Sequence, residues 1–190
     1  VPVNPITGTT FENAASTKMV HITEFTADLI KHGKLDLDPR RNDNLKITFH
    51  DSCNPSRGMG LLEEPRYVIN NVANHFYDMP ASTIRENTFC CGSGSGLNAG
   101  EDMELRMCGG LPRANAVKYM ADKFDVNMLA CVCAIDRAAL PDLMNYWETG
   151  ADVTGVHELV GNALILPGEK KRETDLRGEP LPGMEEEADE

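Results

Sequence analysis

Two short apolar runs constrain the fold of this chain more than any other feature. "LKITF", Leu45 to Phe49, and "VNMLACVC", Val126 to Cys133, each read as a buried strand. Stretches of helical character surround them. From Ala15 to His32 the apolar positions Val20, Ile22, Phe25, Leu29 and Ile30 follow helical spacing, with Gly33 as a stop. "EEPRYVINNVAN" carries acids ahead of a proline in its first turn, which suits a helix N-terminus. "LPRANAVKYMADKF" and "AIDRAALPDLMNYW" read as further helices, the second open to a kink at Pro141. "EDMELRM" is expected as a separate short helix closed by Gly109 and Gly110, "HFYDMP" as a strand-like run, and "ADVTGVHELVGNAL" as a last short strand and helix. Strands alternating with helices predict an α/β fold with a mostly parallel sheet flanked by helices. Ligands of such sheets sit beyond the carboxyl ends of the strands.

The formal net charge of −12 over 190 residues argues against nucleic acid or an anionic membrane surface as a direct partner. No apolar run approaches the roughly 18 residues of a membrane span. The first residues, "VPVNPITGTTFE", have neither a basic nor an apolar signal region, so no secretory signal is expected, and without an initiating methionine the chain is read as a fragment or a processed product. Beyond Pro167 the sequence turns polar and ends "MEEEADE"; residues 167–190 are expected to form an acidic disordered tail.

The cysteines fall at the expected sheet edge. Cys53 follows the first strand, Cys131 and Cys133 end the second, and Cys90-Cys91-Gly92 lies in a glycine-rich loop between them. In a strand, residues two apart face the same side, so Cys131 and Cys133 can serve one centre. Cys90 and Cys91 can do so only on a tight turn, which the following glycines permit. A disulfide framework suits smaller secreted domains, which makes a metal or redox site the better reading. Five thiolates exceed the four of a cubane cluster or a zinc site, so one is a bystander or the centre is unusual. Cys108 fits the role of a buried small hydrophobe. His50 and Asp51 precede Cys53 at the strand end and are candidates for proton delivery. Arg57, Arg85, Arg113 and Arg137 are candidates to steer an acidic tail or support the centre, with a solvated surface role the stronger expectation for any one of them.

The pattern Cys53…Cys90-Cys91-Gly92…Cys131-Val132-Cys133 resembles the cysteine-rich CCG domain of heterodisulfide reductases and related iron–sulfur subunits. "FHDSCNPSRGMGLLEEPRYVINN", "NTFCCGSGSGLNAGEDMELRM" and "NMLACVCAIDRAALP" are similar to the DsrK-type subunits of dissimilatory sulfur metabolism, over roughly Val20 to Leu164. The resemblance implies a [4Fe-4S] centre, cubane or non-cubane, held by Cys53, Cys90, Cys91, Cys131 and Cys133, which an isolated fragment can lose. It implies disulfide or trisulfide reduction in two one-electron steps on a DsrC-like sulfur-carrier protein, or the reverse reaction. It also implies a membrane quinone-reactive subunit and other Dsr complex subunits as partners, with the chain cytoplasmic and peripheral to the inner face of the membrane.

CCG proteins commonly carry two such domains. A weak repeat between "MVHITEFTADLI" and "GVHELVGNAL" then makes residues 1–44 the end of a preceding repeat with its linker, and 45–166 a complete C-terminal CCG domain. His157 is assigned a structural role from its match to His21. The chain departs from the wider family in having Cys131-x-Cys133 rather than Cys-x-x-Cys, with Ala130 where the first cysteine would fall; Cys108 has no counterpart. Three rivals stand beside this reading: an electron-transfer iron–sulfur subunit of a lactate, glycolate or glycerol-phosphate dehydrogenase, a structural zinc domain, and a cluster-free interaction domain.

Overall fold

Three short strands, β1 (Ile47–Phe49), β2 (Met128–Cys131) and β3 (Asp152–Gly155), pair in that order and all run parallel. Ile47 lies opposite Met128, and Met128 opposite Asp152, so the three carboxyl ends share one edge. This computed structural model describes residues 20–94, 97 and 102–169. The expected helix start at residues 15–19, the acidic tail from 170 onward and most of the loop at 95–101 lie outside them.

Helices cover both faces, as a parallel sheet requires. Leu129, Cys131 and Val153 pack against α3 (Met103–Phe124) and α4 (Ala134–Tyr146), through Met107, Val117, Met120, Leu140 and Leu143. Ile47, Phe49, Met128 and Ala130 pack instead against α1 (Ile22–Lys31), α2 (Glu64–Val72) and α5 (Val156–Ala163), through Ala27, Val68, Ile69, Val72 and Leu159. The alternation along β2 divides two apolar cores, and burial of each large side chain contributes about 1.5–3 kcal/mol. β1 and β2 are buried along their whole length, which explains their near-continuous apolar character.

The weak repeat takes a definite structural form. His21 caps α1, accepting from the Thr23 N–H, while Glu24 returns to the His21 N–H at 2.9 Å. In α5 the Gly155 N–H donates to Glu158, also three residues into its helix, at 3.2 Å. What the two helices share is this carboxylate return to the cap. They also touch, with Thr26 Oγ1 lying 3.1 Å from His157 Nε2. Residues 20–44 pack onto the same core as the rest: Asn42 is fully buried and donates to the carbonyls of Val72 and Leu159.

As expected, Pro141 lies inside helix α4. Two local expectations need correction. "HFYDMP" makes one isolated parallel bridge, Ile47 with Phe76, rather than a strand. "EDMELRM" and "LPRANAVKYMADKF" form one 22-residue helix, α3, running straight through Gly109, Gly110 and Pro112. Its stop comes later, at Asp125 with φ 58°. The two glycines serve packing. A Cβ on Gly92 would sit 2.3 Å from the Arg106 carbonyl oxygen, and one on Gly110 3.1 Å from the Cys91 carbonyl oxygen. The cysteine turn rests directly on the backbone of α3, an approach that requires glycine at position 92 and is eased by the one at 110.

Candidate functional site

The parallel sheet delivers three chain segments to its carboxyl edge. After β1 come His50, Asp51, Ser52 and Cys53; after β2 come Val132 and Cys133; after β3 comes the start of α5. The His50 N–H continues the ladder by donating to the Ala130 carbonyl at 2.8 Å. Cys53 is exposed and opens a wide helical turn, Asn54–Gly58, with Pro55 in its first positions. Cys133 is the cap of α4, at the positive end of that helix dipole.

The Cys90–Cys91 segment is drawn to this edge by polar ties. Thr88 Oγ1 donates to the Asp51 carbonyl at 2.8 Å, and Arg57 donates to the carbonyls of Glu86 and Thr88 at 2.8 and 2.6 Å. Gly92 takes φ +83°, and its N–H donates to Cys90 Sγ at 3.3 Å. All six cysteines are free. Cys90 and Cys91 point different ways, one exposed and the other buried at 6% exposure.

Asp136 forms the centre of the buried part. It lies in the first turn of α4, and its Oδ2 is 3.4 Å from His50 Nε2. The Cys91 thiol and the Ser52 hydroxyl also face it. Burial alone would raise this carboxyl; donors from His50, Cys91 and Ser52 outweigh that and hold it below the usual range. Burial pushes the Cys91 thiol far above its ordinary value, and the Asp136 charge adds to the shift. Cys131 is raised for the same reasons in the same order, with Cys133 adding a smaller push. Its Sγ donates to the Thr154 carbonyl at 3.6 Å, a long contact. Burial pulls His50 below its ordinary value despite Asp136, so the imidazole is neutral at pH 7.

Asp51 is differently placed from its neighbour. Arg66 grips both its oxygens at 2.7 Å, and the Arg85 N–H donates to Oδ2 at 2.8 Å. Burial would raise this carboxyl, and Arg66 with the Arg85 N–H more than reverses that. Arg85 holds φ 54°, an uncommon left-handed value for a residue with a side chain, and its bond to Asp51 helps pin it there. Asp51 thus braces the approach to the cysteine turn, and the carboxylate facing His50 is Asp136.

Of the sequence-predicted residues, the fold brings His50 and Cys91 to Asp136. Cys131 lies near enough to Asp136 and to Cys133 to interact electrostatically, and Cys53 and Cys90 are exposed at the same edge. Cys108 is exposed on α3 rather than buried. Among the described residues, no three His, Cys, Asp or Glu side chains gather closely enough to hold a single metal ion. A four-iron centre is itself several atoms wide, so its thiolates stand further apart than ligands of one ion. Asp136, Ser52 and Ser93 escaped the sequence reading. Asp136 had a readable signal, an acid three residues beyond the cap Cys133. The two serines had none.

Comparison with known proteins adds to this geometry. The chain is 53% identical over 166 residues to the Hdr-like menaquinol oxidoreductase iron-sulfur subunit of Archaeoglobus profundus, matching 85% of this chain and 30% of that protein. It is a homologue of the Hdr-like iron–sulfur subunits. A second such iron-sulfur subunit, from Archaeoglobus fulgidus, is 51% identical over 180 residues, matching 92% of this chain and 32% of the relative. One subunit of the dihydromethanophenazine:CoB–CoM heterodisulfide reductase of Methanosarcina mazei is 32% identical over 151 residues, matching 78% of this chain and 34% of the relative. The chain therefore spans about a third of the length of these Hdr-like relatives. No family model and no solved structure matches it. No described helix is long and apolar enough to cross a membrane.

Proposed function

We propose that the carboxyl edge of the sheet holds a four-iron [4Fe-4S] centre through Cys53, Cys90, Cys91, Cys131 and Cys133, within a larger Hdr-like oxidoreductase subunit. The observation that carries this reading is the meeting of three cysteine-bearing segments at one sheet edge, in a chain homologous to iron–sulfur subunits. The fit of the residues to such a centre supports it. Ser93 Oγ, two residues beyond Cys91, is buried and makes no hydrogen bond among the described residues. An unpaired buried hydroxyl is costly, and a sulfur of a cluster would satisfy it. The Gly92 N–H already donates to a cysteine sulfur.

When bound, the centre supplies one-electron chemistry and an iron able to take a sulfur ligand. The chain supplies the rest. Cys91 must lose its proton to bind iron, and Asp136 faces it as an acceptor. His50, neutral and sheltered, is assigned to take up a proton at Nδ1, the nitrogen turned away from Asp136, and pass it to a departing thiolate. Asp51 keeps the segment in place. The balanced reaction takes a disulfide, two electrons and two protons to two thiols. A quinol supplies both electrons and protons, as the names of the relatives suggest, or receives them in reverse.

Within this reading the substrate is a DsrC-like sulfur carrier. The assembly is a DsrK-type complex on the inner face of the cytoplasmic membrane, joined to a quinone-reactive subunit. Residues 45–166 form its C-terminal CCG domain, and residues 1–44 close the preceding repeat; the shared cap chemistry of α1 and α5 supports that assignment. Iron and sulfide analysis with EPR, on anaerobic protein with and without a thiol substrate, tests the proposal. A brown protein whose oxidised signal changes on thiol addition is expected. A colourless chain that takes up only zinc under those conditions refutes it.

A further inference from the structure

Arg113 is the largest fully buried side chain among the described residues, at 0% exposure. It lies in the middle of α3, three residues beyond Gly110 and so on the helix face that seats the Cys91–Gly92 turn. The sequence places it at the solvated surface; the fold buries it completely. Its guanidinium donates only to uncharged acceptors, Nη1 to Met79 Sδ at 2.8 Å, Nη2 to the Thr83 carbonyl at 2.7 Å and to Thr88 Oγ1 at 2.8 Å. Its Nε has no partner among the described residues. The buried Arg66 and Arg106 behave differently, each pairing with a carboxylate, at 2.6–2.7 Å from Asp51 and Asp78 and at 2.6 Å from Asp142.

An unpaired buried charge is strongly disfavoured unless something nearby compensates it. Burial draws Arg113 down to about 10, which still leaves it charged at neutral pH, and Asp51, Asp136, Asp78 and Cys91 feel its field without bonding to it. Thr88 links it to the cysteine turn two residues on. The Phe89 ring face, 5.8 Å from the guanidinium, and the carboxylates of Asp51, Asp136 and Asp78 compensate the charge in part. The remainder belongs on the far side of that turn, where thiolates and sulfides would bring several negative charges.

We propose that Arg113 is the fixed counter-charge of the iron–sulfur centre and raises its reduction potential. This rests on the reading of the cysteine edge given above. Reduction adds one electron to an already anionic group, and a cation held beneath it stabilises the more negative state by more. Salt screens a buried pair little, so the effect persists at high ionic strength. A mere staple for residues 79–88 would leave the potential alone.

The test is a redox titration of the anaerobically reconstituted 190-residue chain, followed by EPR, with iron and sulfide measured on each sample. Arg113→Met removes the charge, Arg113→Lys keeps it, and Met79→Glu keeps the arginine but sets a carboxylate beside Nη1. A lower midpoint is expected in Arg113→Met and Met79→Glu, with Arg113→Lys close to wild type. An unshifted midpoint in either neutralised variant at full iron content overturns the proposal. So does an Arg113→Lys midpoint displaced as far as that of Arg113→Met. Should both neutralised variants fail to take up iron, Arg113→Lys decides: it must hold iron at the wild-type midpoint, and failure to do so overturns the proposal. A wild-type chain without iron would refute the cluster reading itself, which the iron and sulfide assay reports separately.

Discussion

The glycines at the contact between the cysteine turn and α3 make a graded prediction. Gly92 has φ +83°, and a Cβ there would meet the Arg106 carbonyl oxygen at 2.3 Å and the Gly110 nitrogen at 3.0 Å. The left-handed backbone costs a residue with a Cβ about 1–2 kcal/mol. Overpacking against backbone, which cannot rotate away, adds about 1–3 kcal/mol. Gly92→Ala is therefore expected to destabilise the chain by about 2–5 kcal/mol, against a total stability of about 5–15 kcal/mol for a typical domain. Gly110→Ala places a Cβ 2.6 Å from both methyls of Leu143, a side chain that can shift. Overpacking of about 1–3 kcal/mol, less about 1 kcal/mol of helix propensity, leaves a loss of about 0–2 kcal/mol. Gly109 is exposed, and its Cβ would meet only Gly92 Cα at 3.8 Å, so Gly109→Ala should stabilise by up to about 1 kcal/mol. Urea unfolding of the reduced, metal-free chain, followed by circular dichroism, measures all three. A Gly109→Ala variant destabilised by about 1 kcal/mol or more would mean the helix breaks there, and equal effects at Gly92 and Gly109 would mean there is no seat.

Cys90→Ser and Cys91→Ser should each abolish the oxidised paramagnetic signal, while Cys108→Ser, on exposed α3 surface, should keep it; EPR of matched samples decides, and survival of the signal in both vicinal variants refutes the ligand set. Arg66→Met strands Asp51 and should cost about 3–5 kcal/mol in urea unfolding, as removal of one partner of a buried ion pair does. His50→Gln should slow disulfide reduction on the order of 100-fold with iron content unchanged, whereas Asp51→Asn should act mainly on stability; steady-state rates beside iron analysis separate the two.

Much of the frame was legible in the residues. "LKITF" and "VNMLACVC" announced strands because a parallel sheet buried on both faces demands unbroken apolar runs. Parallel pairing then carries His50–Cys53 and Cys131–Cys133 to one edge whatever the details of packing. The helix break expected at Gly109–Gly110 failed because a glycine pair reads alike whether it ends a helix or lets another backbone approach. Asp51 looked as suitable as any acid beside a cysteine until Arg66 and the Arg85 N–H were found on its oxygens.

By itself, the sequence determined which chemistry is available: five thiols in three segments and strands to aim them, in a chain homologous to iron–sulfur subunits. Tertiary structure alone decided the electrostatics of the site. Asp136 rather than Asp51 faces His50 and Cys91, and Arg113 lies buried and without a carboxylate beneath the cysteine pair. The physical reason is that a side chain's charge, burial and partners are set by residues distant in sequence: Met79, Thr83 and Thr88 surround Arg113 from 25 to 34 positions away. Local periodicity carries no record of such neighbours.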